Sequence, residues 1–238
     1  IEAYTQVLEA KGAETPVGHI QNMIRAEIQL ENLDAAVALA ERSLETHSQE
    51  AELWVLYADA LQRSDRLDDA ITALDRVMEI NPDHPNAPLR QGNWLIQAGR
   101  LEDAVAVLSR SAGEDPARAE QAARMIFAEA YQNGNQQNNY QYAADGMAAA
   151  KELPNLSAEM TAQLNFWHGS SLYQMAVAEQ EPQTLETAQA SLPKFHQAVQ
   201  LLQQSGDYPA SVNVNLQQLL DNAATYIEIQ DAIIKRGR

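Results

Sequence analysis

The sequence predicts an all-α fold, a solenoid of about five helical hairpins closed by a C-terminal capping helix. Three observations support this prediction. Ala, Leu, Gln and Glu dominate the 238 residues, whereas the β-branched and aromatic residues that strands favour are sparse. Short motifs recur at a fixed interval through the first half of the chain. Each interval also contains two apolar stripes whose spacing is that of an α-helix.

The recurring motif consists of a polar residue, Leu, one or two acidic or small residues, and a closing Ala. The closing residues Ala36, Ala70 and Ala104 follow one another at intervals of 34 residues. Pro82 and Pro116 are separated by the same 34 residues. A period of this length predicts a repeat architecture in which one supersecondary unit is stacked on the next.

Each interval is predicted to form two antiparallel helices. A turn at 64–66 separates them, and Asn81-Pro82 ends the second helix because Pro lacks an N–H and restricts the preceding residue. The first helix carries one apolar stripe and the second another: Leu53, Tyr57, Ala60 and Leu61, then Leu67, Ala70, Ile71, Leu74, Val77 and Met78. One hairpin cannot bury both stripes, so neighbouring hairpins must stack.

Residues 51–84 resemble a tetratricopeptide repeat (TPR). Trp54 stands at the family's early aromatic position, Ala58 and Ala70 stand at its small-residue positions, and Leu74 and Pro82 stand at later hallmark positions. The resemblance implies a right-handed α–α superhelix that binds other proteins. It also implies that Trp54 and the corresponding Trp167 fill hairpin interiors.

The resemblance extends over one predicted solenoid that spans residues 1–238. We expect the second helix of a truncated repeat at 1–16, regular repeats at 17–50, 51–84 and 85–118, degenerate longer repeats at 119–157 and 158–206, and the capping helix at 208–236. Polar segments at 132–139 and 179–187 are expected to be extended connections. A dimerisation helix is the alternative interpretation of the last segment, and the truncated first repeat suggests a chain cut from a longer array.

In this family the first helix of each hairpin lines a concave groove, in which a peptide or helix of a partner lies. Helical spacing gives the expected partner-binding lining, which mixes apolar, amide and charged groups: Gln21, Arg25, Val55, Asp59, Gln62, Leu89, Asn93, Ile96, Ala123, Phe127, Phe166 and Tyr173. For Phe127 and Phe166 the alternative is that they pack between helices.

Charge and motif content narrow the classes of function. The net charge is −17 with 16 Lys and Arg, which disfavours nucleic-acid binding and favours a neutral or basic protein partner. There is no Cys, no paired-histidine metal motif, no phosphate-binding loop and no nucleophile elbow. The five histidines, among them His168, are expected on loops or the surface, and acidic residues such as Glu27 on solvated faces. We therefore expect no catalytic residue, no metal site and no cofactor.

Three functions remain from the sequence alone. The first is a protein–protein interaction scaffold; the others are self-association through the terminal helix, giving a homodimer, and a non-catalytic regulatory part of a larger enzyme. No apolar run is long enough to cross a bilayer. The sequence leaves the compartment open between the cytoplasm, which is slightly favoured, and the periplasm or envelope, because it begins at Ile1 rather than Met.

Overall fold

The computed structural model describes residues 16–113, 115–206, 208 and 215–237, and the regular elements among them are all helical. This confirms the predicted all-α class. The α-helices are α1 Val17–Gln29, α2 Leu33–Leu44, α3 Ala51–Arg63, α4 Leu67–Ile80, α5 Ala87–Gln97, α6 Leu101–Ala112, α7 Pro116–Glu129, α8 Tyr140–Lys151, α9 Ala158–Glu179, α10 Leu185–Gln204 and α11 Leu216–Arg236. The helix predicted in the first 15 residues falls outside the described part of the chain.

The chain forms two compact units, residues 1–100 and 101–238. The first contains α1 to α5 and the second contains α6 to α11. The division falls inside the third regular repeat expected at 85–118. The repeat boundaries given above remain predictions.

In the first unit, helices α1, α3 and α5 each end in the same C-terminal motif. Glu31, Asp65 and Gly99, at intervals of 34 residues, adopt left-handed φ angles of 60°, 59° and 72°. The residue after each donates its N–H to the carbonyl five positions earlier, for example Arg66 to Leu61 at 2.9 Å. These are Schellman motifs, which satisfy carbonyls that a helix end would otherwise leave unpaired. The sequence period is therefore also a period of backbone geometry.

The predicted apolar stripes of α3 and α4 form the centre of the first unit. Six of their side chains are fully buried: Leu53, Ala60, Leu61, Ala70, Leu74 and Val77. Tyr57 and Met78, at the edges of the two stripes, are half-buried. The spacing therefore identified the faces that pack, as expected for amphipathic helices.

The second unit is built around α9. Each residue from Leu164 to Tyr173 is buried, because α9 packs against both α8 and α10. Gly169 allows α9 and α10 to approach closely, since a Cβ at this position would lie 3.0 Å from the Ala198 carbonyl oxygen and from Leu202 Cγ. Over residues 164–173, α9 therefore has no solvated face.

Both predicted extended connections contain more helix than expected. The segment at 132–139 begins with a π-helical turn, Ala130–Gly134, followed by a 3₁₀ turn, Asn135–Gln137. A Cβ at Gly134 would lie 2.5 Å from Ala143 Cβ, so the missing side chain lets this turn pack against α8. The second connection comprises only residues 180–184, because the Thr184 and Thr187 side chains form a capping box that starts α10 early.

The terminal helix α11 packs against α10 in the second unit. Leu219 and Ala223 are buried, and the Tyr226 ring stacks on Phe195 with centroids 5.2 Å apart. Of the segment predicted at 208–236, residues 209–214 lie outside the described part. Whether α11 caps the fold or dimerises remains a prediction. Among the described residues, no helix combines the length and apolar character needed to span a membrane.

Candidate groove in the first unit

The first helices of three successive hairpins, α1, α3 and α5, border an open groove with a volume of about 370 Å³. Its apolar lining comes from Ile28, Val55, Leu56, Leu74 and Ala87. Its polar lining comes from Arg25, Gln29, Glu52, Asp59, His84, Asn86 and Arg90. Because Glu52, Val55 and Asp59 are spaced by three and four residues, they share one face of α3.

An ion pair connects α1 to α3 at the groove. Arg25 Nη2 lies 2.5 Å from Glu52 Oε1, and both side chains are part-exposed. A second contact supports the same helix pair, since Arg63 Nη1 donates a hydrogen bond to the Ile28 carbonyl oxygen at 3.2 Å. Arg25 is therefore engaged by the protein itself before any partner arrives.

A second ion pair connects α3 to α5. Arg90 donates a hydrogen bond to Asp59, and its guanidinium carbon lies 5.8 Å from the centroid of the Trp94 ring. Burial raises the pKa of Asp59, and the charge of Arg90 opposes that shift. The pair is therefore partly desolvated, and each charge depends on the other.

Helix α5 is held in place by a buried glutamine that contacts α4. Gln91 is 1% exposed, and its Nε2 donates to the Ile71 carbonyl oxygen at 3.0 Å and to Asp75 Oδ1 at 2.7 Å. Both acceptors belong to α4. Because Gln91 adjoins Arg90, this anchor fixes the side of α5 that faces the groove.

The neutral polar groups of the groove are less engaged. His84 Nδ1 accepts from the N–H groups of Ala87 at 3.1 Å and Asn86 at 3.4 Å, so it carries no proton and Nε2 carries one. Within the described part of the chain, His84 Nε2 and the side-chain amides of Gln29 and Asn86 make no hydrogen bond. These three groups can pair with peptide N–H and C=O groups.

The structure brings together three of the sequence-predicted residues, Arg25, Val55 and Asp59. Gln21, Gln62, Leu89 and Asn93 lie on the same three helices and are part-exposed or exposed, but they do not line this cavity. Ile96 is 3% exposed and belongs to the core. We leave Ile96 out of the proposed site, because a partner cannot reach its side chain.

The predicted residues of the second unit are mostly enclosed. Ala123 and Phe166 are fully buried, and Tyr173 is buried against Phe195 at a centroid distance of 6.0 Å. Phe166 contacts the rings of Trp167 and Tyr208, so packing between helices, the alternative stated above, describes it. Phe127 is half-buried and stacks on Tyr131 at 5.9 Å. We leave the three buried side chains out of the proposed site as well.

Sequence reasoning missed Glu52, His84 and Arg90. Glu52 stands one turn before Val55, so helical spacing could have included it. Arg90 stands next to Leu89, and a small rotation of α5 decides which of the two faces the groove. His84 precedes α5, and its hydrogen bonds to the start of that helix give no signal in the spacing of apolar residues.

Two polar residues expected at the surface are buried. His168 is 8% exposed within α9, and burial, with a smaller contribution from the charge of Lys151, lowers its pKa to about 4. Glu27 is 5% exposed and accepts a hydrogen bond from Asn32 Nδ2 at 3.0 Å. Trp54, expected inside its hairpin, is instead half-buried and donates from Nε1 to the Ser48 carbonyl oxygen at 2.8 Å.

The described residues contain no group of three or more His, Asp or Glu side chains positioned to share a metal ion. The groove offers a ligand apolar surface and neutral polar groups. Such a lining suits a peptide, because apolar surface holds side chains and amide groups pair with the backbone.

Antiparallel helical hairpins with a 34-residue period define a helical-repeat protein. The profile of the tetratricopeptide-repeat family matches residues 27–91 and 64–126. Residues 27–126 are thus built of tetratricopeptide repeats, a fold that serves as a protein–protein interaction scaffold. No curated protein matches the sequence.

Several solved structures are similar to this chain. A MamA fragment from Desulfovibrio magneticus RS-1 is 17% identical, with 80% of this chain and 96% of that chain covered and a TM-score of 0.44. YrrB, a TPR protein with an unusual peptide-binding site, is 15% identical, with 94% and 98% covered and a TM-score of 0.45. A tetratricopeptide repeat protein from Parabacteroides merdae is 15% identical, with 92% and 89% covered and a TM-score of 0.47.

Proposed function

We propose that the first unit binds a short segment of another protein in the groove between α1, α3 and α5, and that the chain acts as a non-catalytic scaffold. The observation that carries this proposal is the open groove of about 370 Å³, which combines an apolar lining with unengaged hydrogen-bonding groups. The proposed partner is a neutral or basic protein rather than a nucleic acid, because the chain carries a net charge of −17.

The size of the groove indicates what part of a partner it holds. Ligand clefts commonly have volumes of about 300–1,000 Å³. The present groove is near the lower limit, so it accommodates a few side chains of an extended segment or one face of a helix. The partner's remaining surface then lies outside the groove, and affinity depends on the few anchoring side chains.

A substitution that fills the groove tests whether a partner binds there. Val55 is half-buried in the groove, so Val55→Lys places a long charged side chain where the partner would lie. Val105→Lys is the matched control, because it makes the same exchange at a half-buried valine of α6 that does not line the cavity. Circular dichroism melting establishes that both variants remain folded.

The measurement is quantitative affinity capture from an extract of the source organism, with photo-crosslinking from a probe placed at Gln29. We expect proteins captured and crosslinked by the wild type and the control variant to be lost with Val55→Lys. If all three chains capture the same proteins equally well, the groove is not the binding site. The second unit would then become the place to look.

A further inference from the structure

The charged groups of the groove are balanced and already paired. Two arginines, Arg25 and Arg90, face two carboxylates, Glu52 and Asp59, in a one-to-one arrangement. The net contribution of these four side chains is zero, although the whole chain carries −17. The groove is thus locally neutral within an acidic protein.

Each ion pair also has a structural role, because it joins first helices of different hairpins. Arg25 to Glu52 joins α1 to α3, and Asp59 to Arg90 joins α3 to α5. A charged ligand group would compete with these contacts, in which each guanidinium and each carboxylate already faces a charge of opposite sign. Displacing the less exposed pair would leave Asp59 or Arg90 part-buried without its partner, and an unpaired charge in such a position is costly.

The groups that remain for a ligand are neutral. His84 Nε2–H is a donor, and the amides of Gln29 and Asn86 are both donors and acceptors. The apolar surface of Val55 lies between the two ion pairs on α3, since Glu52 precedes it and Asp59 follows it. An apolar side chain of a ligand would pack against this apolar surface. The backbone amides on either side of it would pair with the neutral hydrogen-bonding groups.

We infer that the groove selects an uncharged segment, with an apolar side chain against Val55 and its backbone amides paired with His84, Gln29 and Asn86. The two ion pairs disfavour the binding of charged side chains of either sign. This inference rests on the proposed function and makes it more specific, since an acidic or basic peptide is rejected even though the protein as a whole is acidic.

The test uses a phage-displayed library of random dodecapeptides, selected in parallel on the full wild-type chain and on Val55→Lys. We expect the wild type alone to enrich peptides with an aliphatic or aromatic residue between uncharged neighbours. The best peptide is then synthesised with Asp or Lys in place of the apolar residue or of its neighbours. Each charged version should bind at least about tenfold more weakly in a fluorescence-anisotropy titration.

A variant that breaks one of the two ion pairs provides the second measurement of peptide selectivity. Asp59→Asn leaves the Arg90 charge unpaired, so this variant should bind the Asp-containing peptide about tenfold more tightly than the wild type does. The matched control is Asp69→Asn, which removes an exposed i,i+3 pair with Arg66 on α4, outside the groove, and should change no peptide affinity.

The outcomes separate the two proposals. Enrichment of acidic or basic peptides by the wild type, with loss in Val55→Lys, would overturn the selectivity and keep the groove as the site. The same would follow if Asp59→Asn left the preference unchanged. Identical enrichment by the wild type and Val55→Lys, or no enrichment by either, would overturn the proposed function itself.

Discussion

Gln230 Nε2 donates a hydrogen bond to Gln180 Oε1 at 2.9 Å, between two buried side chains that are 50 positions apart in the chain. Gln180 is the C-cap of α9 and Gln230 lies in the C-terminal half of α11. The bond therefore joins the terminal helix to the end of the central helix of the second unit. It shows that α11 is part of that unit's core.

This pair should show energetic coupling. Gln230→Ala removes the donor and leaves Gln180 Oε1 buried without a partner, which costs about 1–3 kcal/mol in the free energy of unfolding. Gln180→Ala should cost a similar amount, and the double variant should cost less than the sum of the two, because they share one interaction. Urea denaturation of the four chains measures the coupling. Strict additivity would mean that the bond contributes nothing.

Gly146 should not tolerate a side chain. A Cβ at this position would lie 2.4 Å from Ala130 Cβ, where α8 meets the π-helical turn. Gly146→Ala is therefore expected to destabilise the second unit by about 1–3 kcal/mol, despite the better helix propensity of Ala. Thermal denaturation provides the measurement.

Two further variants show whether that contact is the cause. Adding Ala130→Gly to Gly146→Ala removes the opposing methyl group and should recover most of the lost stability. Gly18→Ala is the control, since no atom lies within 4 Å of its added Cβ, and it should not be destabilised. A double variant as unstable as Gly146→Ala alone would contradict the steric explanation.

His168 should make the second unit sensitive to acid. Burial holds its pKa at about 4, below the ordinary value of 6.5, whereas the unfolded chain takes up the proton at the ordinary value. The free energy of unfolding is therefore highest above pH 6.5. It decreases as the pH falls towards 4, because the unfolded chain binds a proton that the folded chain does not. The loss reaches about 3 kcal/mol.

The comparison is with His168→Gln, which stays neutral at every pH. Chemical denaturation at a series of pH values between 7 and 4 should show the wild type losing more stability than the variant. Lys151 and Asp145 act on the same group in opposite directions, Lys151 lowering and Asp145 raising its pKa. Parallel pH profiles for the two chains would show that His168 is solvated and free to protonate.

The two tryptophans at corresponding repeat positions should differ in importance. Trp167 is 8% exposed and contacts the Tyr131 ring at a centroid distance of 4.6 Å, so Trp167→Ala should cost about 3–5 kcal/mol. Trp54 is half-buried and borders two surface clefts, so Trp54→Ala should cost clearly less. Denaturant titrations followed by far-UV circular dichroism give both values; equal losses would refute the difference in burial.

The sequence period predicted more of the fold than amino-acid type could. Glu31, Asp65 and Gly99 share one turn conformation at intervals of 34 residues, although only one of them is glycine. The period identifies equivalent positions whatever residue occupies them. The extent of α9 and α10 was underestimated, because the polar residues near 180 suggested a loop, whereas the capping box at Thr184 starts a helix there.

The candidate site was predictable only in part. Arg25, Val55 and Asp59 followed from helical spacing, since position along a helix determines which face a residue occupies. Their ionic partners Glu52 and Arg90 did not, because contacts between helices depend on helix rotation and side-chain rotamers. Phe166 was expected to line the groove but is buried. Spacing assumes one solvated face, and residues 164–173 of α9 are all buried.

The enclosure of α9 limits how the protein can change its length during evolution. In the first unit, a duplicated 34-residue hairpin would bury its stripes against copies of its existing neighbours, so whole repeats can be gained or lost. Deleting α8 or α10 would instead expose the buried stretch of α9, residues 164–173. Extra residues in the second unit are therefore tolerated best in connections such as 152–157, where α9 stays covered.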